Sequence, residues 1–301
     1  MEGILSPLIN YEVNLMTNTA TQTPNEKLHY FNSQEVIENI EELIKFYKKE
    51  RVSYNKKDYI NTLNAIQGNF IPVTDGIEIT FDNEELYNRL IIRDLLKDKN
   101  VQFKDHIFSL DEQQEIRKNM EDAFALLNNI NPNIMSTMKK VIGAIACYKV
   151  EGYVGGSVSS SIGVIWLHPP KHWKVEDYAE AIYHEFIHHC LYLDDMIYAI
   201  FPNQEIANSP EALTISSILT TKRSIDKAYH SAVVAIGIMY MYHKLGNDER
   251  SLTFLPNIKR TTEELNTKHK FLGQRGIEIL EGMNYFIENL NYDDIHSLIN
   301  K

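Results

Sequence analysis

Apolar residues recur at helical spacing through the first part of the chain. After Asn32-x-x-Glu35, which has the form of a capping box, Val36, Ile37, Ile40, Leu43, Ile44 and Tyr47 mark one stripe. Asp82-x-x-Glu85 opens a second such segment with Leu86, Leu90 and Ile91 inward. Asp111-x-x-Gln114 opens a third with Ile116, Met120, Phe124 and Leu127 inward. Thr17 to Glu26, rich in Thr and Asn, reads as an irregular arm. The period changes after Pro132. Lys140 to Val150 is apolar and β-branched and predicts a strand, and Gly152, Gly155 and Gly156 break it. Ser157 to Leu167 predicts a second strand, ended by His168-Pro169-Pro170 because proline cannot donate to a ladder.

Helical spacing returns from Val175 to about Tyr192, followed by a loop or short turn over Phe201 to Leu213. Ser224 to Leu245 predicts a strongly apolar helix. Thr261-x-x-Glu264 caps another that runs towards Leu290, with a kink near Gly273. These elements predict an α+β fold, predominantly helical, with a small sheet packed on the helix of residues 175–192 in a zincin-like manner. No repeat or linker divides the chain. The expectation is a single domain over residues 1–301, with a mostly helical part (about 1–135) and a site-bearing part (about 136–301).

Composition sets outer limits. The 301 residues are 44% hydrophobic and 24% charged, as in ordinary globular proteins. A formal net charge of −11 argues against nucleic acid or an anionic membrane as main partner. Met1 to Asn10 lacks the basic end and apolar run of a signal peptide, and no window approaches a membrane span. Cys147 and Cys190 are too few for a disulfide framework and suit a reducing cytosol. The expected location is cytoplasmic.

The strongest local signal is His184-Glu185-Phe186-Ile187-His188. Positions four apart on a helix differ by only about 40°, so two imidazoles can meet one ion while the intervening Glu reaches its neighbourhood. Eleven His and 41 acids placed at random would give below about 0.06 such matches. His189 stands about 140° around from His184 and reads as structural.

Two histidines leave the site incomplete. Glu205 and Glu211 are available downstream but stand in a loop-like stretch. A HExxHxxGxxH pattern is absent, because Leu191 and Asp194 occupy its Gly and last His positions. His230, in the apolar helix, is the better candidate, although a lone His there is commonly a satisfied core residue. Arg223 and Asp226, at i−7 and i−4, are expected on its face of the same helix, with Arg223 about 10 Å along the axis. Arg223 could hold a carboxylate whose other end touches the metal; alternatively the two form an ion pair at the helix start. Lys227 reads as a surface residue.

These segments resemble a bacterial group, the HExxH-motif peptide-modification proteins or α-ketoglutarate-HExxH type peptide β-hydroxylases. The carriers are the Ser-rich stretch Ser157 to Leu167, Tyr183 to His189, and Arg223 to His230, under a third of the chain. The resemblance implies iron(II), with α-ketoglutarate and O2 as co-substrates, and hydroxylation of a side-chain β-carbon in a peptide or amino acid. It implies His184, His188 and His230 as ligands and Arg223 as anchor of the distal carboxylate of α-ketoglutarate. Such a ligand set departs from the commoner two-His-one-carboxylate triad. HExxH is equally the mark of zinc metallopeptidases, in which Glu185 would be the general base; the stretch Ser157 to Leu167 would then pair with an extended substrate. A purely structural zinc would want four side-chain ligands, and Cys190, about 240° around from His184, is a poor fourth.

Overall fold

The computed structural model describes residues 23–50, 53–68, 71–92, 102–150 and 152–301. In chain order the elements are α1 (Ser33–Lys48), α2 (Lys56–Gln67), β1 (Glu78–Thr80), α3 (Glu84–Ile92), α4 (Leu110–Ile130), α5 (Pro132–Val141), β2 (Ala144–Cys147), β3 (Gly155–Gly156) and β4 (Val164–Leu167). They continue with α6 (Val175–Tyr198), α7 (Gln204–Ala207), β5 (Thr214–Ile215), β6 (Lys222–Arg223), α8 (Ile225–Lys244), α9 (Asp248–Leu252), α10 (Leu255–Asn266), α11 (Gln274–Asn289) and α12 (Tyr292–Ile299). The fold is α+β and mostly helical, with a small mixed sheet. Cα proximity groups the chain into two units, Ile37–His189 and Met1–Val36 with Cys190–Lys301; the division falls inside α6. Of the expected arm, Thr17 to Gln22 lies outside the described residues, and Pro24–Glu26 is a 3-10 turn.

In the unit Ile37–His189 the sheet order is β1-β2-β4-β3. β1, β2 and β4 run parallel, and β3 is antiparallel to β4, with Gly155 opposite Leu167 and Gly156 opposite Trp166. Every residue of β2 and β4 is buried, which explains their unbroken apolar runs: a central parallel strand is covered on both faces. Two strand expectations need correction. Lys140 and Val141 end α5 rather than opening a strand. The stretch Ser157 to Leu167 contains a 3-10 turn at Ser159–Ser161, and only its last four residues form β4. β4 is flanked on both sides, so it has no free edge for an extended substrate; the antiparallel edge is β3. Gly155 and Gly156 therefore build a strand rather than breaking one. A Cβ on Gly155 would stand 2.7 Å from Leu167 Cδ2 and 2.9 Å from Trp166 O, so only glycine fits there.

In the other unit α8 is buried around nearly its whole circumference and packs against α9 and α10. The expected single helix from Thr261 to Leu290 is two helices. Thr261 lies within α10, where its hydroxyl donates to the Ile215 and Asn257 carbonyls. Gly273 is a break rather than a kink. Its N–H donates to Ile200 O, and a Cβ there would meet Ala199 O at 2.3 Å. No helix among the described residues is long and apolar enough to cross a membrane.

Candidate metal centre

Helix α6 begins with Glu176 and Asp177 in its first turn, where acidic side chains complement the positive end of the helix. Asp177 accepts the Lys174 N–H at 2.7 Å. Ile182, Tyr183, Phe186, Ile187 and Cys190 are buried, while Ala181, His184 and His188 form a partly exposed line at i, i+3 and i+7. Both motif histidines thus stand on the one face of this helix stretch that solvent reaches. Their Nε2 atoms are 3.2 Å apart, with ring centroids at 5.0 Å.

That separation is a test of fit for a metal. Bonds of about 2.0–2.1 Å from one ion to both nitrogens would subtend roughly 100–106° across it, close to the tetrahedral angle. Two neutral imidazoles can also share an N–H···N hydrogen bond at this distance. The donor type suits zinc and iron(II) alike. Among the described residues, no group of three or more His, Cys, Asp or Glu is gathered as a metal site.

Glu185 is 8% exposed. Its Oε2 accepts a 2.6 Å hydrogen bond from Ser157 Oγ, and its Oε1 lies 3.9 Å from His184 Nε2. Burial pushes its carboxyl up, against the lowering pull of His184 and of the Ser157 hydrogen bond. His189 is fully buried and Nδ1 accepts the Gly163 N–H at 3.3 Å, which leaves the proton of the neutral ring on Nε2. Burial pushes its imidazole down to about 3. Gly163 has φ +87°, so the backbone that meets His189 is one that glycine alone supplies easily.

The other expected residues belong to the second unit. His230 lies in α8, 7% exposed, with its ring centroid 4.8 Å from Tyr192 and 6.4 Å from Phe201. Burial pushes it down to about 4, with Asp226 pulling the other way. Asp226 is in the first turn of the same helix, as expected, and its Oδ1 is buried without a hydrogen-bond partner. Arg223 is not on that helix. It lies in β6, paired with Thr214, and Ser224 is the N-cap of α8. The helical-face relation between Arg223 and His230 therefore does not hold. Chain stiffness explains this, since the Thr214–Arg223 ladder keeps Arg223 extended until the helix starts. Lys227 is exposed. Glu205 and Glu211 are both exposed, and Glu211 is paired with Lys270 at 2.9 Å. Cys147 and Cys190 are free and buried, and burial raises both thiols.

Sequence reasoning passed over Ser157 and β3. Ser157 stands 28 positions before Glu185, and no local spacing rule links them. The available signal was the pair Gly155-Gly156 directly after Tyr153 and Val154, read from the sequence as a strand break. No family model matches the chain, and no curated protein matches it.

Proposed function

We propose that this protein is a metal-dependent enzyme centred on His184 and His188, and that it hydroxylates a side-chain β-carbon of a peptide or amino-acid substrate. One observation carries the metal: two imidazole Nε2 atoms 3.2 Å apart on the partly exposed line of α6, with Glu185 between them in sequence. The reaction rests on the resemblance of Tyr183 to His189 and of Arg223 to His230 to the α-ketoglutarate-HExxH group. In this reading His184 and His188 hold iron(II), with His230 as third ligand, and Arg223 binds the distal carboxylate of α-ketoglutarate through its guanidinium. Bound iron(II) supplies the site for O2 and α-ketoglutarate, which together with the substrate C–H yield succinate, CO2 and the alcohol. The residues of the chain bind, orient and exclude water; Phe186 and Ile187, both buried, keep the flanks of the motif apolar. The finer fold reading belongs to the same proposal: a small sheet with antiparallel edge strand β3 beside a HExxH helix, in the zincin manner, where an extended peptide pairs with β3.

A second reading, a zinc metallopeptidase, is favoured by the placement of Glu185. One of its oxygens is anchored and the other lies 3.9 Å from His184 Nε2, as a general base beside a metal-bound water would require.

The test is anaerobic reconstitution with iron(II), followed by α-ketoglutarate, O2 and candidate peptides. The hydroxylase reading predicts succinate, and predicts that Arg223→Ala weakens α-ketoglutarate binding roughly 10- to 100-fold, the loss of a charge-assisted contact. Peptide-bond cleavage by the zinc form with no succinate from the iron form selects the peptidase. Unchanged α-ketoglutarate affinity in Arg223→Ala removes Arg223 from the site.

A further inference from the structure

We propose that Ser157 is a positioning residue for Glu185, holding one carboxylate oxygen so that the other is turned towards the His184–His188 pair. This role rests on the metal centre proposed above, and it holds for either reaction. Its basis is the division of labour between the two oxygens. Oε2 receives the Ser157 hydroxyl at 2.6 Å, a short O–H···O hydrogen bond. Oε1 is the oxygen near the motif, 3.9 Å from His184 Nε2. A carboxylate as buried as Glu185 has little water to orient it, so a fixed donor decides its rotamer.

Ser157 is itself fixed. It follows β3 directly, and the two residues before it are held opposite Leu167 and Trp166 in the ladder. Gly155 allows that close approach, since a Cβ there would stand 2.9 Å from Trp166 O. A hydroxyl one residue beyond a rigid edge strand, donating to the Glu of HExxH, ties the geometry of the motif to that strand. A peptide that pairs with β3 would therefore be registered against Glu185 as well. The hydroxyl adds no charge and is not required to react; it sets a direction.

The experiment is cobalt(II) titration of the full-length, metal-free protein, read by its visible d–d spectrum, for wild type and a shape-matched pair of variants. Ser157→Thr keeps the hydroxyl, and Ser157→Val replaces it with a methyl of similar volume. Ser157→Val is expected to raise the cobalt dissociation constant about 10-fold, as loss of a residue supporting a metal site does, and to alter the spectrum as Glu185→Gln does. Ser157→Thr is expected to match wild type. Combining Ser157→Val with Glu185→Gln is expected to be no worse than Glu185→Gln alone, because both act through one oxygen. The inference is overturned if Ser157→Val lowers the melting temperature of the metal-free protein but leaves cobalt affinity and spectrum at wild-type values. Strictly additive effects of the two substitutions would overturn it as well. Failure of the underlying metal reading looks different: wild type would show no cobalt spectrum, or His184→Ala would leave it unchanged, and the role of Ser157 would fall with it.

Discussion

His184 and His188 stand on a partly exposed line of α6, their Nε2 atoms 3.2 Å apart. Asp194, six residues beyond His188 on the same helix, is 1% exposed and closed into an ion pair with Arg275. Arg275 Nε donates to both Asp194 oxygens, and Nη2 donates to Asp194 Oδ1 and to Glu35 Oε2. Glu35 in turn meets His29 Nδ1 at 2.9 Å. Acids and bases alternate in this second cluster, so its charges are satisfied by one another. Such a cluster holds a fold. At His184 and His188 two like ring nitrogens face each other at a separation that suits a shared N–H···N hydrogen bond or, in the proposed reading, one bound ion. A cluster of opposite charges closed on itself is thus told apart from a pair of like ring nitrogens by the chemistry of the neighbours, not by burial alone.

The largest effect that bears on this contrast concerns Arg275. Arg275→Met leaves Asp194 buried without its partner and is expected to cost about 3–5 kcal/mol of stability, read from the denaturant midpoint. Metal affinity per folded molecule should stay at wild-type level. A neutral Arg275→Met would mean that the closed cluster does not hold its unit together.

A smaller effect separates His189 from its motif neighbours. Its imidazole is pushed down to about 3, below the ordinary value near 6.5, so the unfolded chain takes up the proton first as pH falls. The stability associated with neutral His189 is complete above pH ~6.5 and is lost as pH falls towards 3. His189→Leu lacks this loss. Relative to wild type, the variant should gain about 2 kcal/mol between pH 6.5 and 5 in the metal-free protein, by urea unfolding at each pH. A gap between the two proteins that does not change with pH would show that His189 titrates normally, and the contrast between buried His189 and the proposed ligands beside it would lose its support.

The sequence made some of this legible and hid the rest for identifiable reasons. The cap at Asn32 was readable because it is local: Asn32 Oδ1 accepts the Gln34 and Glu35 N–H groups. At α4 the true capping box is Ser109 with Glu112, two residues before the expected one, since several polar residues there fit the same spacing. The His184–His188 pair was legible because i, i+4 spacing on a helix is nearly independent of the rest of the fold. Arg223 was misplaced because helical periodicity does not show where a helix begins when a short ladder, here Thr214 with Arg223, claims the preceding residue. Arg275 with Asp194 and Ser157 with Glu185 join residues 81 and 28 positions apart, and no one-dimensional pattern marks such pairs.

The measurement that tests the central claim most directly is the metal stoichiometry of the full chain, by titration of metal-free protein with iron(II) under anaerobic conditions and with zinc, beside His184→Ala and His188→Ala. The account predicts one divalent ion per wild-type chain and an affinity loss of at least about 100-fold in either variant, each of which remains folded, because two-point chelation becomes one-point. A wild-type chain that binds neither metal, or folded variants that bind as tightly as wild type, would contradict it.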